Sequence, residues 1–231
     1  MTSYDISIVG TGYVGLCTAV GFASKGYKVI ATDCNHEKVA LINKAIPPFN
    51  EPGLEESLQK VVKNGSLRCM FGCEEAVLST DITFIAVGTP SKPDGSIDLQ
   101  YVENAACEIG QALKKKEPHH LVVVKSTVVP GTTENMVKPA IEQLSGKCCG
   151  VKFGLCVNPE FQREGSALHD LLNPDRIIIG EYDQKSGDIL ESLYKDFYGE
   201  NMPPIIRTNL PTAELIKYAS NAFLATKISF I

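Results

Sequence analysis

Lys217 and Asn221 stand four residues apart near the end of the chain, a spacing that puts them on one face of a helix. A cation and an amide donor presented together suit an oxygen that becomes negative during a reaction. The same pair also suits an ordinary solvated helix face, and spacing alone favours that plainer use. A second group is Asn158-Pro159-Glu160-Phe161-Gln162-Arg163-Glu164-Gly165, where two carboxylates and a guanidinium follow an apolar run. Two hydroxyls, Ser126 and Thr127, come directly after LVVVK, and Thr89 comes soon after DITFIAV.

The most specific pattern lies near the start. Gly10-Thr11-Gly12-Tyr13-Val14-Gly15 follows the apolar residues Ile6, Ile8 and Val9 and opens an Ala/Leu/Val-rich segment that Gly26 ends. Gly10 allows a tight strand-to-helix turn, Gly12 lets the backbone approach a pyrophosphate, and Gly15 lets the helix pack close to the strand. Tyr13 and Val14 sit in the helix start, whose free N–H groups and positive dipole end attract phosphate. A second apolar run, 28–32, delivers Asp33, placed to accept hydrogen bonds from a ribose diol. Asp33 would repel a 2′-phosphate and no arginine follows it in Cys34-Asn35-His36-Glu37. Lys38 is a partial counterweight, so NAD is predicted over NADP. A merely structural turn is the alternative; the strand before, the helix after and the acid at the expected distance favour a dinucleotide.

These residues need elements to hold them. Helical patterns are predicted over 37–44, 54–63, 74–78, 98–116 (with Asp98 as N-cap) and 184–198. Strands are predicted over 67–70, 81–87, 121–125, 152–157, 176–180 and 205–206. The alternation means an α/β fold with a doubly wound parallel sheet, a Rossmann-type domain spanning 1–207. Ligands of such sheets bind at the carboxyl ends of the strands, where Thr89, Ser126, Thr127 and residues 158–165 all fall. The segment 208–231 begins a further long helix, with apolar residues at Leu215, Ile216, Ala219, Phe223 and Ile228. It reaches Phe230-Ile231 with no C-cap glycine or polar tail. That pattern reads as a cut inside a helix, with a natural end inside a dimer interface as the alternative.

Composition narrows the classes. The 231 residues carry a net charge of −5 without a long basic run, which argues against nucleic acid as a partner. No apolar run approaches membrane-spanning length and the N-terminus lacks a signal-peptide pattern, so a cytoplasmic protein is expected. The eight cysteines include no pair of CxxC knuckles, and no metal site is predicted; reduced, structural thiols are the expected state.

GTGYVGL, EPGLEE, VGTPSKPDGSIDL, KSTVVPGTT, NPEFQREG, LLNPDRIIIG and ELIKYASNAFLATKISFI, in this order, together resemble the UDP-glucose dehydrogenase family. The resemblance implies oxidation of the C6 alcohol of a nucleotide-linked sugar to a carboxylate, with successive reduction of two NAD. It also implies a homodimer formed through a central helix, and a second domain that binds the UDP-sugar. By the same resemblance, Gly10 to Gly15 hold the pyrophosphate, Asp33 and Lys38 the adenosine ribose, and Thr89, Ser126 and Thr127 line the cofactor and reaction cleft. Thr127 holds a water and Glu160 acts as general base or positions that water. Phe161, Arg163 and Glu164 meet the sugar and the nicotinamide side, while Lys217 and Asn221 stabilise the oxyanion. Gln162 replaces the Leu of NPEFLREG. The family's nucleophilic cysteine, in a GxCFxKD setting, has no counterpart here, so this nucleophile and the sugar domain are expected beyond Ile231 and the chain alone is expected to be inactive. A related dehydrogenase of a UDP-hexosamine or of GDP-mannose, and a non-catalytic NAD-binding module, remain as alternatives.

Overall fold

The near-continuous apolar runs become strands because both of their faces are covered. The computed structural model describes residues 4–231. Among them eight strands form one sheet: β1 (Ile6–Val9), β2 (Val29–Asp33), β3 (Leu67–Phe71), β4 (Ile82–Ile85), β5 (His120–Val124), β6 (Phe153–Val157), β7 (Ile177–Glu181) and β8 (Ile205–Asn209). Their order is β3-β2-β1-β4-β5-β6-β7-β8, so the direction of winding reverses between β1 and β4. Ile6, Ile8 and Phe84 pack on one face with Phe22, Leu16 and Val20 of α1 (Tyr13–Ser24). Val9, Ile85, Val122 and Val124 pack on the other against α5 (Gln100–Lys115) and, after a π-helical turn at Thr133–Val137, α6 (Lys138–Ser145). Between these come α2 (His36–Asn43), α3 (Leu54–Lys63) and α4 (Glu74–Ser79).

The sheet is parallel except between β6 and β7, which pair antiparallel. The connection explains it. Residues 158–176 turn back at the carboxyl edge of β6 without crossing the sheet, so β7 sets out from the edge that β6 has just reached. Inside that connection is α7 (Ala167–Leu172), which no sequence pattern announces, because six residues are too few to display a helical period. The helix expected from Asp98 starts instead at Gln100, and the Asp98 carboxylate accepts the Gln100 N–H at 3.0 Å.

After α8 (Gln184–Tyr198) and β8, the chain ends in α9 (Leu210–Phe230). Asn209 caps it by accepting the Thr212 N–H at 2.9 Å, and Pro211 sits in the first turn, where a missing N–H is harmless. The docked stripe is Leu210, Ala213, Glu214 and Lys217, a helical i, i+3, i+4, i+7 set that mixes apolar and charged residues. Gly180 lets α9 lie close to β7: a Cβ there would stand 2.5 Å from that of Ala213. The more apolar residues Leu215, Phe223, Leu224 and Ile228 are exposed. No helix among the described residues is long and apolar enough to cross a membrane.

Candidate functional site

Gly10 takes φ +98° and its N–H donates to the Thr32 carbonyl, tying the turn to the end of β2. A Cβ at Gly10 would stand 2.6 Å from the Ala86 carbonyl oxygen, and one at Gly15 would collide with the Gly10 carbonyl oxygen. Gly12 differs. It caps α1 at φ −69°, and a Cβ there would meet nothing within 4 Å among the described residues. The protein itself makes no demand for glycine at this point, whereas a pyrophosphate laid on the backbone would. The first turn of α1 has no acidic residue, so its positive end stays free for an anion. Tyr13 and Val14 are half-buried in that turn.

Asp33 is held in place by its neighbours. Thr11 donates both its N–H (3.0 Å) and its hydroxyl (2.6 Å) to Oδ2, while the Asn35 N–H donates to Oδ1 at 2.9 Å. Burial alone would raise the carboxyl, but these bonds and the Lys38 ammonium 4.0 Å away outweigh it and hold Asp33 below its ordinary value. An ionised carboxylate has about four acceptor positions, and these three bonds leave room for a ribose hydroxyl. The residues present fit NAD.

Further along the edge, the Ser126 hydroxyl donates to the Val87 carbonyl at 2.7 Å, joining the ends of β5 and β4. Thr89 and Thr127 are half-buried beside it in sequence and along the sheet edge. Beyond β6, Glu160 Oε1 pairs with Lys217 Nζ at 2.8 Å, and both side chains are nearly buried, at 11% and 8% exposure. Glu160 Oε2 accepts the Gln162 N–H at 2.6 Å. The Phe161 ring has the Arg176 guanidinium 4.4 Å and the Lys217 ammonium 5.4 Å from its centre. Arg163 forks onto Asp170, donating Nε at 3.1 Å and Nη2 at 2.8 Å. This guanidinium holds Asp170 down to about 2, against the opposing effect of burial.

The structure thus joins Glu160 to Lys217 and Phe161, but not to Arg163, which faces its own acid. Glu164 and Asn221 are exposed. Lys217 and Asn221 keep their common helical direction in different surroundings: the lysine lies inside the domain, the asparagine where α9 leaves it. None of the cysteines is joined in a disulfide, and burial pushes the Cys156 thiol well above its ordinary value, which leaves it protonated and inert near neutral pH.

Three contributors escaped the sequence reading. Glu214 is almost fully buried and accepts the N–H groups of Gly131 (2.5 Å) and Thr133 (2.8 Å), tying α9 to the turn after β5. Lys217 follows it by three residues, so this tie also sets the height of the ammonium. Its signal was an acid on the same helical stripe as Leu210 and Lys217. Glu51 accepts the Gly165 N–H at 3.0 Å, beside the Tyr13 hydroxyl that the sequence already singled out, at 2.5 Å, linking the Pro-rich loop and the glycine turn to the NPEFQREG segment. Lys125 is the charged end of an otherwise apolar strand run, and it is buried.

Residues 4–198 match the UDP-glucose/GDP-mannose dehydrogenase family, NAD binding domain. The GDP-mannose 6-dehydrogenase of Pseudomonas syringae pv. syringae is 46% identical over 225 residues, covering 97% of this chain and 50% of that protein. The ternary complex of GDP-mannose dehydrogenase from Pseudomonas aeruginosa superposes with a TM-score of 0.93 at 45% identity, over 97% of this chain and 51% of that one. A UDP-glucose dehydrogenase from the hyperthermophilic archaeon Pyrobaculum islandicum gives 0.91 at 49% identity, over 98% and 51%. The chain spans about half the length of the curated relatives it matches. With its glycine turn, its acid at the end of β2 and its NAD-binding domain, the chain belongs to the UDP-glucose/GDP-mannose dehydrogenase family of nucleotide-sugar dehydrogenases.

Proposed function

We propose that this chain is the cofactor-binding half of an NAD-dependent UDP-glucose 6-dehydrogenase, oxidising C6 of the sugar to a carboxylate in two hydride transfers. The carrying observation is the Glu160–Lys217 pair, 2.8 Å apart, at the carboxyl edge of a sheet whose glycine turn fits NAD. NAD, when bound, supplies the hydride acceptor. Lys217, oriented by its place on α9 and by Glu160, donates to the sugar oxygen as negative charge develops there. Asn221, one turn further out, adds an amide donor to the same oxygen. Glu160 takes or directs a proton, and Thr127 holds the water consumed in the second oxidation. Thr89, Ser126 and Glu164 border the cofactor, while Phe161 and Arg163 shape the wall met by the sugar. Residues 1–207 act as the cofactor domain and 208–231 begin the dimerisation helix, whose exposed Phe223 and Ile228 suit burial against a second copy.

GDP-mannose is the second reading, favoured by the 46% identity to a GDP-mannose 6-dehydrogenase. The deciding experiment offers the intact enzyme UDP-glucose, GDP-mannose and a UDP-hexosamine in turn and follows NADH absorbance. Two NADH formed per UDP-glucose support the proposal, and two per GDP-mannose move the substrate to the second reading. No NADH from any sugar nucleotide, with NAD still bound, would make the chain a binding module.

A further inference from the structure

One charged group inside this edge has no task in the proposed chemistry. Lys125 is 4% exposed, immediately beyond β5, and its Nζ donates to Asn158 Oδ1 at 2.9 Å. An ammonium has three donors, and no second acceptor for it is found among the described residues. The carboxylate that shares its surroundings, Glu160, is paired with Lys217. Lys125 also lines a cavity of about 360 Å³ behind the NPEFQREG loop, together with Glu160, Phe161, Arg176 and Tyr194.

A structural role does not account for this cation. Asn158 is already oriented without it, since Tyr194 donates to Oδ1 at 2.5 Å and Nδ2 donates to the Ile178 carbonyl at 2.9 Å. An unpaired buried charge is costly to keep, and an apolar side chain would fill the volume without that cost. Such a charge persists where its field is used.

We infer that Lys125 is a positioning residue of the Glu160–Lys217 site: its buried cation, held toward the cavity by Asn158, contributes to the field in which the pair works. The inference deepens the reading of that pair as reaction centre. Burial pushes the Lys125 ammonium down to about 8, with the Glu160 anion opposing the fall and the Lys217 cation adding to it. The other charged groups around the cavity are matched with one another, Arg163 with Asp170 and Arg176 with Asp175; the buried phenol of Tyr194 stays protonated, raised chiefly by burial.

The test is a pH titration of the chain labelled with ¹³C at lysine Cε, followed by NMR, with K125M assigning the signal. Lys125 is expected to titrate near 8, well below the ordinary lysine value of 10.5. Its midpoint should fall further in Glu160→Gln, which removes the favourable anion, and rise in Lys217→Met, which removes the opposing cation. Either variant suffices if the other does not fold. A midpoint among the surface lysines, or one unmoved in a folded variant, would overturn the inference. The outcomes separate cleanly from the activity assay, because the titration needs no turnover: lack of NADH formation would sink the proposed reaction and leave this coupling standing, and the reverse also holds.

Discussion

The two carboxylates that matter most here are held in opposite ways. Asp33 is fixed by donors from its own βαβ unit, Thr11 and Asn35, with the nearest cation 4.0 Å away and partly exposed. Glu160 is fixed by a lysine 57 positions later in the numbering, on a helix that is itself tied down by Glu214. Local hydrogen bonding makes an acceptor whose own donors all lie within a few residues of the glycine turn and the end of β2. Long-range ion pairing makes the proposed reaction group, which forms only when β6 and α9 are both in place. Cofactor affinity should therefore survive damage that abolishes chemistry.

The sharpest way to break the contrast is Lys217→Ala. Turnover by the intact enzyme should drop by about 10²–10³, the usual result of losing an oxyanion donor. NAD affinity, measured by calorimetry, should stay within about twofold, well under the 1.4 kcal/mol of a tenfold change. Because the variant strands Glu160 in a nearly buried position, stability should also fall by about 3 kcal/mol. A turnover change below about threefold, far short of that range, would leave Lys217 only as the structural partner of Glu160.

The glycine turn can be divided the same way. Gly15→Ala places a Cβ against the Gly10 carbonyl oxygen and should cost about 1–3 kcal/mol of stability in a denaturant titration. Gly12→Ala meets no protein atom within 4 Å, so its stability cost should stay within about 1 kcal/mol, while NAD binding is lost. Equal effects of the two substitutions on folding would show that Gly12 serves the protein and not a ligand.

A smaller effect is expected of Thr11→Val, which removes the 2.6 Å hydroxyl bond to Asp33 and keeps the N–H bond. NAD affinity should weaken several-fold, about 1 kcal/mol, with turnover at saturating NAD unchanged. The smallest concerns acid. Asp170 is depressed from 3.8 to about 2 in the folded chain, so its contribution is complete above 3.8 and is lost as pH falls toward 2. Across that window the Arg163 Nε–H should lose its protection from solvent exchange, and Asp170→Asn should remove the dependence.

The unequal legibility of the two halves follows from the same contrast. The turn at Gly10 to Gly15 and Asp33 announce themselves because strand, turn, helix and acid occupy one short stretch with fixed spacing. The doubly wound sheet was legible for a similar reason, as alternating apolar runs. What holds Glu160 was not. Glu214 and Lys125 act on partners far away in sequence, and nothing local marks a buried lysine except its position after LVVV. The antiparallel β7 was hidden because periodicity fixes a strand but not its direction. Along α9, hydropathy drew attention to Leu215, Phe223 and Ile228, yet the docked stripe carries Glu214, which accepts two backbone N–H groups, and Lys217, which pairs with Glu160; charged groups satisfied in this way can take the inner face.

The anchoring of α9 by Glu214 and Lys217 also fixes its angular phase. The helix is about 31 Å long at 1.5 Å per residue, and with both anchors in its first two turns it cannot spin about its own axis. Whatever meets its outer half is met at a set bearing. Each residue advances that bearing by about 100°, so one alanine inserted between Tyr218 and Ser220 would swing Asn221 and Phe223 round the axis while leaving the docked turns untouched. Four inserted residues would nearly restore the bearing and push the outer half about 6 Å further from the domain. The first turns of α9 act as the keyed root of a shaft, setting direction for residues that touch nothing in the domain.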